Sequence, residues 1–205
     1  MSVNRRTQAD RSAATRTALL EAATPLFAEQ GFAAVGTEAI VQAAGVTRGA
    51  LYHQFTDKTE LFAAVFEAVE ADLMTRLAAL VAEAAPDDPL GALGAGADAW
   101  LEACADPVVH RIVLIEAPAV LGWARWREIG MRYGAGLVEA MLQAAIDAGQ
   151  LRPQPVTALA HVLIGALDEA ALSCAQADEP EQARAEMRAV LHDLIAALAV
   201  TDGQR

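Results

Sequence analysis

A chain of 205 residues, 55% hydrophobic and 20% charged with a mean hydropathy of +0.27, holds ample apolar material for a core, which excludes a disordered tail or a fibre. Alanine supplies 49 of the 205 residues and aromatics only 5%, so the apolar share rests on small helix formers and an all-α fold is expected, in one large domain or two small ones. Fifteen basic residues against 27 acidic ones give −12 and a pI near 4.7, which over the whole chain speaks against a nucleic-acid partner.

Residues 1–12, with Arg5, Arg6 and Arg11 among polar neighbours, read as a flexible basic arm. No apolar block with a cleavage site follows it, so it is not a signal peptide. Over 11–30, Leu19, Ala22, Ala23, Leu26 and Phe27 recur at helical spacing, Gly31 stops the helix and Phe32 folds back onto it. A short helix over 37–44 has Ile40 and Val41 as its apolar pair and ends at Gly45. Thr47 caps a third helix with Ala50, Leu51 and Phe55 on its apolar face. A fourth, capped by Thr56 or Asp57, runs to about Ala85 with Leu61, Phe62, Val65, Phe66, Val69, Leu73, Leu77 and Leu80 three and four apart. At 1.5 Å per residue it is roughly 40 Å long, and Pro86-Asp87-Asp88-Pro89 breaks it. Further helices are expected over 90–105, 107–116, 119–148, 156–177 and 181–200, with breaks at Asp106-Pro107, Pro118, Gly149 with Pro153 and Pro155, and Glu179-Pro180. The total is about nine helices, with no internal repeat and no alternating run long enough for a strand.

No uninterrupted apolar run approaches the roughly 18 residues of a membrane span, so a soluble, cytoplasmic protein with no membrane partner is expected. Cys104 and Cys174 lie far apart with no CxxC spacing, which suits a reducing cytoplasm and two small buried hydrophobes. Nothing calls for a cofactor or a metal.

Charge is unevenly placed. Residues 1–60 carry six basic and six acidic residues, whereas 61–205 carry nine and 21, so the whole −12 belongs to the second region. Within the first, 37–55 has the anatomy of a helix-turn-helix. Ile40 and Ala43 face inward from the first helix, Gly45 takes the turn, Val46 plugs it, and Leu51 and Phe55 seat the second helix. Thr47, Arg48, Tyr52 and His53 remain outward, with small Gly49 and Ala50 beside them to permit close approach to a groove.

Together with Ala28-Glu29-Gln30-Gly31-Phe32 upstream and Lys58-Thr59-Glu60-Leu61-Phe62 downstream, the run Ala43-Ala44-Gly45-Val46-Thr47-Arg48-Gly49-Ala50-Leu51-Tyr52 and Phe55 resembles the TetR family of bacterial transcriptional regulators over about 14–66. Val41, Gln54 and Gly36-Thr37 depart from the usual pattern, and Gln54 replaces a histidine that often contacts phosphate with an uncharged donor. The resemblance implies an N-terminal three-helix DNA-binding domain over 13–60 and a larger helical effector-binding and dimerisation domain over 61–205. The DNA-contacting set is Thr37, Thr47, Arg48, Gly49, Ala50, Tyr52, His53, Gln54 and Lys58. By side-chain chemistry Tyr52 and Lys58 suit phosphate, Arg48 suits a bidentate contact to guanine, Thr47 suits a phosphate, a thymine methyl or its own helix cap, and His53 suits phosphate or base equally.

One helix-turn-helix reads few base pairs, so a homodimer on a palindromic operator is expected. The last two helices offer the interface, through Leu159, Leu163, Leu167, Ala170 and Cys174 on one and Val190, Leu191, Leu194 and Leu198 on the other; the same stripes would also serve the monomer's own core. The middle helices concentrate Trp100, Cys104, His110, Trp123, Trp126, Tyr133 and Met141, which with Phe66 are candidates to line a pocket for a small apolar or amphipathic effector, though each also suits a core. Trp123 and Trp126 share a face flanked by Arg125 and Arg127, which leaves open a contact to the DNA-binding domain, signal transmission, or a cap on the bundle. Isolated histidines, no HExxH, no GxSxG and no phosphate-cradling loop exclude the common catalytic devices, so no enzyme is expected. The sequence thus reads as a ligand-released homodimeric repressor, or alternatively as a regulator without an effector, controlled by a protein partner or by abundance.

Overall fold

The computed structural model describes residues 8–84 and 87–200, and the chain is all-α. Nine helices follow one another among the described residues: α1 (Gln8–Gln30), α2 (Thr37–Ala44), α3 (Arg48–Gln54), α4 (Lys58–Ala84), α5 (Pro89–Ala103), α6 over 107–121, α7 (Trp123–Asp147), α8 (Val156–Gln176) and α9 (Pro180–Ala196). Helix α6 is composite: a turn Pro107–Val109, a π-helical stretch His110–Glu116 and a closing segment Ala117–Leu121.

Local chemistry sets the starts. Thr47 accepts the Ala50 N–H (3.2 Å), Asp57 that of Glu60 (2.9 Å), Asp88 that of Gly91 (3.1 Å), and Asp106 those of Val108 and Val109, each satisfying donors a helix start leaves open. Elsewhere the boundaries differ from expectation. Helix α1 begins at Gln8, so 8–12 of the expected arm are helical, while Arg5 and Arg6, like Ala85 and Pro86 after α4, lie outside the described residues. The helix expected over 119–148 is interrupted at Gly122, whose φ of +77 leaves the helical region and separates α6 from α7. Pro118, expected as a break, sits instead inside α6, at the junction between its π-helical stretch and its closing segment. Helix α9 ends at Ala196 because the chain beyond turns to pair with 150–151: Ala199 bridges Leu151, and the Val200 N–H donates to the Gln150 carbonyl (2.9 Å).

The N-terminal core is built on Leu19, Phe27, Ile40, Leu51 and Phe62, all fully buried. Phe27 and Phe32 both meet Phe62 edge-on, at 5.2 and 5.4 Å between centroids, which fixes the turn after α1 against α4. Residues 61–66 of α4 are buried throughout, and the same helix then passes into a second core made with α5 to α9. By length and composition α8 is apolar enough to cross a membrane, a property the count of uninterrupted apolar residues missed because Asp168 and Glu169 interrupt it. It packs here as a core helix, with Ala160, Leu163, Ile164, Ala170, Ala171 and Cys174 buried.

Among the described residues Glu70, in the middle of α4, is the single buried polar or charged residue, at 3% exposure. Burial, with the Asp168 carboxylate nearby, pushes its carboxyl up to about 8 from an ordinary value of 4.5. Between those values the unfolded chain has lost the proton and the folded chain keeps it, so unfolding free energy falls as pH rises across the window and levels off above it. Glu70→Gln removes that loss. In denaturant titrations its stability advantage over the wild type is expected to grow from near zero at pH 4.5 to on the order of 3 kcal/mol at pH 8; a difference that stays flat with pH would contradict a protonated Glu70.

Candidate functional site

The helix-turn-helix is built as its spacing requires, with one change of face. Gly45 closes α2 in the left-handed region (φ 64, ψ 30), and the Val46 N–H returns to the Val41 carbonyl at 3.0 Å. The inward pair of α2 is Ile40 with Val41, and Ala43, expected inside, is exposed. On α3, Leu51 is fully buried, and Phe55 behind it is buried as well, leaving Arg48, Gly49, Tyr52 and His53 on the outer face. The Arg48 guanidinium stands 5.6 Å from the centroid of the Tyr52 ring. Arg48 and Thr37, beside the Tyr52 hydroxyl, hold that phenol below its ordinary value. Thr37, Arg48 and Tyr52 thus form one polar group across the starts of two helices. Thr47 acts as the cap of α3, and Ala50 beside it is half-buried.

Two of the expected contacts are turned inward. The Lys58 ammonium donates to the carbonyls of Phe32 (2.8 Å) and Val35 (3.0 Å) and lies 4.1 Å from the centroid of the Phe32 ring, so it ties the start of α4 to the turn after α1. Gln54 donates through Nε2 to the Ser12 hydroxyl at 2.7 Å, binding α3 to α1. Arg16 of α1 stacks over Phe55 at 4.5 Å. Capacity to reach phosphate is therefore concentrated on the exposed face of α3 and the first turn of α2.

In the second core, side chains from α4 to α9 line a cavity of about 80 Å³. Most of the lining is apolar, including Met74, Leu77, Trp100, Trp126, Leu137 and Met141. Each indole N–H is already spent: Trp100 donates to the Leu167 carbonyl (3.1 Å) and Trp126 to that of Val113 (2.9 Å). The charged lining residues are Glu70, Arg127 and Asp168. Arg127 donates to Asp168 at 2.5 Å and to the His161 carbonyl at 3.2 Å. Burial lifts the Asp168 carboxyl to about 6 against the pull of Arg127, while Glu70 has no hydrogen-bond partner among the described residues. Neither acid was singled out in the sequence, yet Glu70 continues the buried stripe Phe66, Leu73, Leu77 at helical spacing, a signal that could have found it.

Of the expected pocket residues, Trp100, Trp126 and Met141 line the cavity. Phe66 is sealed in the core, and Tyr133 is half-buried against it without reaching the space. Cys104 and His110 open onto a separate recess shared with Cys174 and Arg184. Trp123 is 62% exposed and leans on Trp126 at 4.7 Å. The expected interface residues also divide: Leu163, Leu167 and Leu191 line the cavity, Ala170 and Cys174 are buried, Leu159 and Leu198 are half-buried, and Val190 (62%) and Leu194 (43%) face outward from α9. Val162 on α8, which the stripe reading passed over, is equally exposed.

Three attachments run from α6 and α7 to the end of α1 and the first three turns of α4. Arg125 at the start of α7 makes a two-pronged contact with Glu60 in the first turn of α4 (2.6 and 2.9 Å), holding that carboxyl below its usual range. Arg132 reaches Glu67 at 3.3 Å. The Arg111–Glu116 pair of α6 (3.0 Å) lies against Gly31, where a Cβ would come within 2.5 Å of both side chains, so glycine there permits the close approach.

Residues 19–65 match the family described as bacterial regulatory proteins, tetR family, and residues 90–198 the family described as the tetracyclin repressor-like C-terminal domain. A TetR-family transcriptional regulator from Pectobacterium atrosepticum is 33% identical, with a TM-score of 0.83 over 96% of this chain and 99% of that one. RolR in complex with resorcinol shares the fold at 20% identity and a TM-score of 0.72, over 95% and 99% of the two chains. The TetC protein of transposon Tn10 from Escherichia coli is 27% identical over 162 residues, 79% of this chain and 81% of that one. The chain belongs to the TetR family: it is a DNA-binding transcriptional regulator with an N-terminal helix-turn-helix and a helical C-terminal region, and not an enzyme.

Proposed function

We propose that this protein is a cytoplasmic homodimeric repressor that occupies a palindromic operator and leaves it when a small molecule enters the cavity between α4 and α9. The organisation behind this reading is a DNA-binding unit over 13–60 and an effector-binding and dimerisation unit over 61–205. The observation that carries it is that the cavity's walls include the same two helices, α4 and α7, that clasp each other beside the DNA-binding unit through Arg125 and Glu60. A ligand that prefers one setting of α7 shifts the population of the other. Resorcinol, seen with RolR in the same fold, supports a small aromatic or amphipathic effector.

On DNA, Arg48 reads a base, Tyr52 and Thr37 position the head on phosphate, and Gly49 and Ala50 allow close approach; His53 adds a contact from the exposed face. Lys58 and Gln54 hold the head's shape rather than touch the duplex. The operator is obtained by selection from random palindromes, and each variant is then titrated against it by anisotropy at several salt concentrations. Arg48→Ala is expected to weaken binding about tenfold or more and to relax preference at one base pair, with an unchanged melting temperature. Lys58→Ala is expected to do the reverse, lowering stability by about 1–3 kcal/mol through two orphaned carbonyls while leaving the salt slope intact. If Lys58→Ala instead reduced that slope by about 1, its ammonium would be a phosphate contact after all.

Dimerisation is assigned to the outward faces of α8 and α9, where Val162, Val190 and Leu194 are left without cover. Placing two recognition helices about 34–36 Å apart requires such pairing. Val190→Glu combined with Leu194→Glu is expected to yield a folded monomer in sedimentation at micromolar concentration, with operator affinity reduced at least a hundredfold. A wild-type chain that sediments as a monomer under those conditions would rule out the dimeric reading.

A further inference from the structure

We propose that the cavity is made for a monocation on an apolar, ring-bearing body, with the carboxylate of Glu70 as its counter-charge. This rests on reading the cavity as the effector site. Three observations converge on it. First, Glu70 lines the cavity, is 3% exposed and has no hydrogen-bond partner among the described residues, an arrangement that costs stability unless something completes it. Second, the fixed donors of the walls are largely engaged: both indole N–H groups by backbone carbonyls, and two N–H groups of the Arg127 guanidinium by Asp168 and the His161 carbonyl. Third, the lining holds two carboxyl groups and one guanidinium, so with Glu70 ionised the site is one positive charge short. The walls suit the rest of such a ligand, because spent N–H groups leave Trp100 and Trp126 their π-systems and apolar surface, and Met74 and Met141 add polarisable thioethers.

Charge balance also fixes the proton traffic. Empty, the Glu70 carboxyl keeps its proton at neutral pH because burial and Asp168 lift it to about 8. The groups around it are Asp168 from α8 and Arg127 from α7, already paired with each other, and the Cys104 thiol at the end of α5, which burial and the nearby carboxyl groups keep protonated; α6 and α9 line the cavity only with apolar Val113, Leu191 and Ile195. Glu70 is therefore the group that changes: when a cation enters, its carboxyl loses one proton to solvent and the resulting carboxylate pairs with the ligand.

The test uses the full chain and ligands of one shape. Phenethylamine and benzyltrimethylammonium are compared with 2-phenylethanol and 3-phenylpropionate by tryptophan fluorescence and by thermal shift, on the wild type and on Glu70→Gln. Expected are binding of both cations at least tenfold tighter than the alcohol, no binding of the carboxylate, and a tenfold or greater loss for the cations alone in Glu70→Gln. Calorimetry of benzyltrimethylammonium in two pH 7 buffers of different ionisation heat should show nearly one proton released per ligand, a reading on the wild type that needs no variant. Equal binding of alcohol and cations, cation binding indifferent to Glu70→Gln, or no proton release overturns the charge assignment while leaving the effector cavity standing. If none of the four ligands binds the wild type, both the assignment and the cavity's role as an effector site fall.

Discussion

Everything in this molecule depends on α4 being one uninterrupted helix. Its 27 residues contain neither glycine nor proline, so at 1.5 Å per residue it is a rod of about 40 Å with no built-in hinge. The first turns belong to the DNA-binding head: Phe62 is gripped by Phe27 and Phe32, and Lys58 is pinned by two carbonyls of the turn they flank. Two turns further on, the same rod presents Glu70, Met74 and Leu77 to the cavity. Head and cavity therefore share a wall rather than a linker, and a tilt imposed at one end is delivered to the other.

The net charge of −12 takes on a physical meaning in that frame. The C-terminal arginines are largely consumed locally, Arg76 by Asp72, Arg111 by Glu116, Arg127 by Asp168 and Arg188 by Asp98, so the acidic surplus stays on that region's surface. Arg48, in contrast, is held beside an aromatic ring with no carboxylate partner among the described residues. Over a rod of this length, and with a screening length near 8 Å at physiological salt, the surplus acts on long-range encounter more than on the docked contacts. An acidic protein binds DNA without contradiction because the relevant charge is the one on α3.

How much of this was legible in the sequence follows from the range of the interactions involved. The helix-turn-helix was readable because its determinants, Gly45, Val46, the Thr47 cap and the Leu51 anchor, act within a few residues of one another. The inward turn of Lys58 was not, since its acceptors stand 26 and 23 residues away and nothing in a local pattern distinguishes a strap from a phosphate contact. The same limit divided the interface stripe: Leu163, Leu167, Val190 and Leu194 all recur at helical spacing, and only packing decides which face the cavity and which face outward. Glu70 is the opposite case. An acid set in a buried stripe is a local contradiction that a pattern of spacing does expose, and it marks where the fold departs from simple core packing.

Such a contradiction is retained only where its cost, on the order of a few kcal/mol at neutral pH, is offset by something the apo fold does not supply. The geometry of α7 shows what a ligand could exploit. Three consecutive residues leave the helix in three directions: Arg125 to Glu60 at the head of α4, Trp126 into the cavity wall, Arg127 to Asp168 on α8. In the proposed mechanism a cation paired with Glu70 competes with the Arg127 guanidinium for Asp168, which lies near Glu70, and moves a backbone segment whose neighbouring residue holds the head. Because successive side chains on a helix are rotated by about 100°, no single rotation of that turn preserves all three contacts. In that mechanism, filling the cavity competes with keeping the Arg125 clasp in its apo geometry, and the energy Glu70 gains on pairing tips the choice.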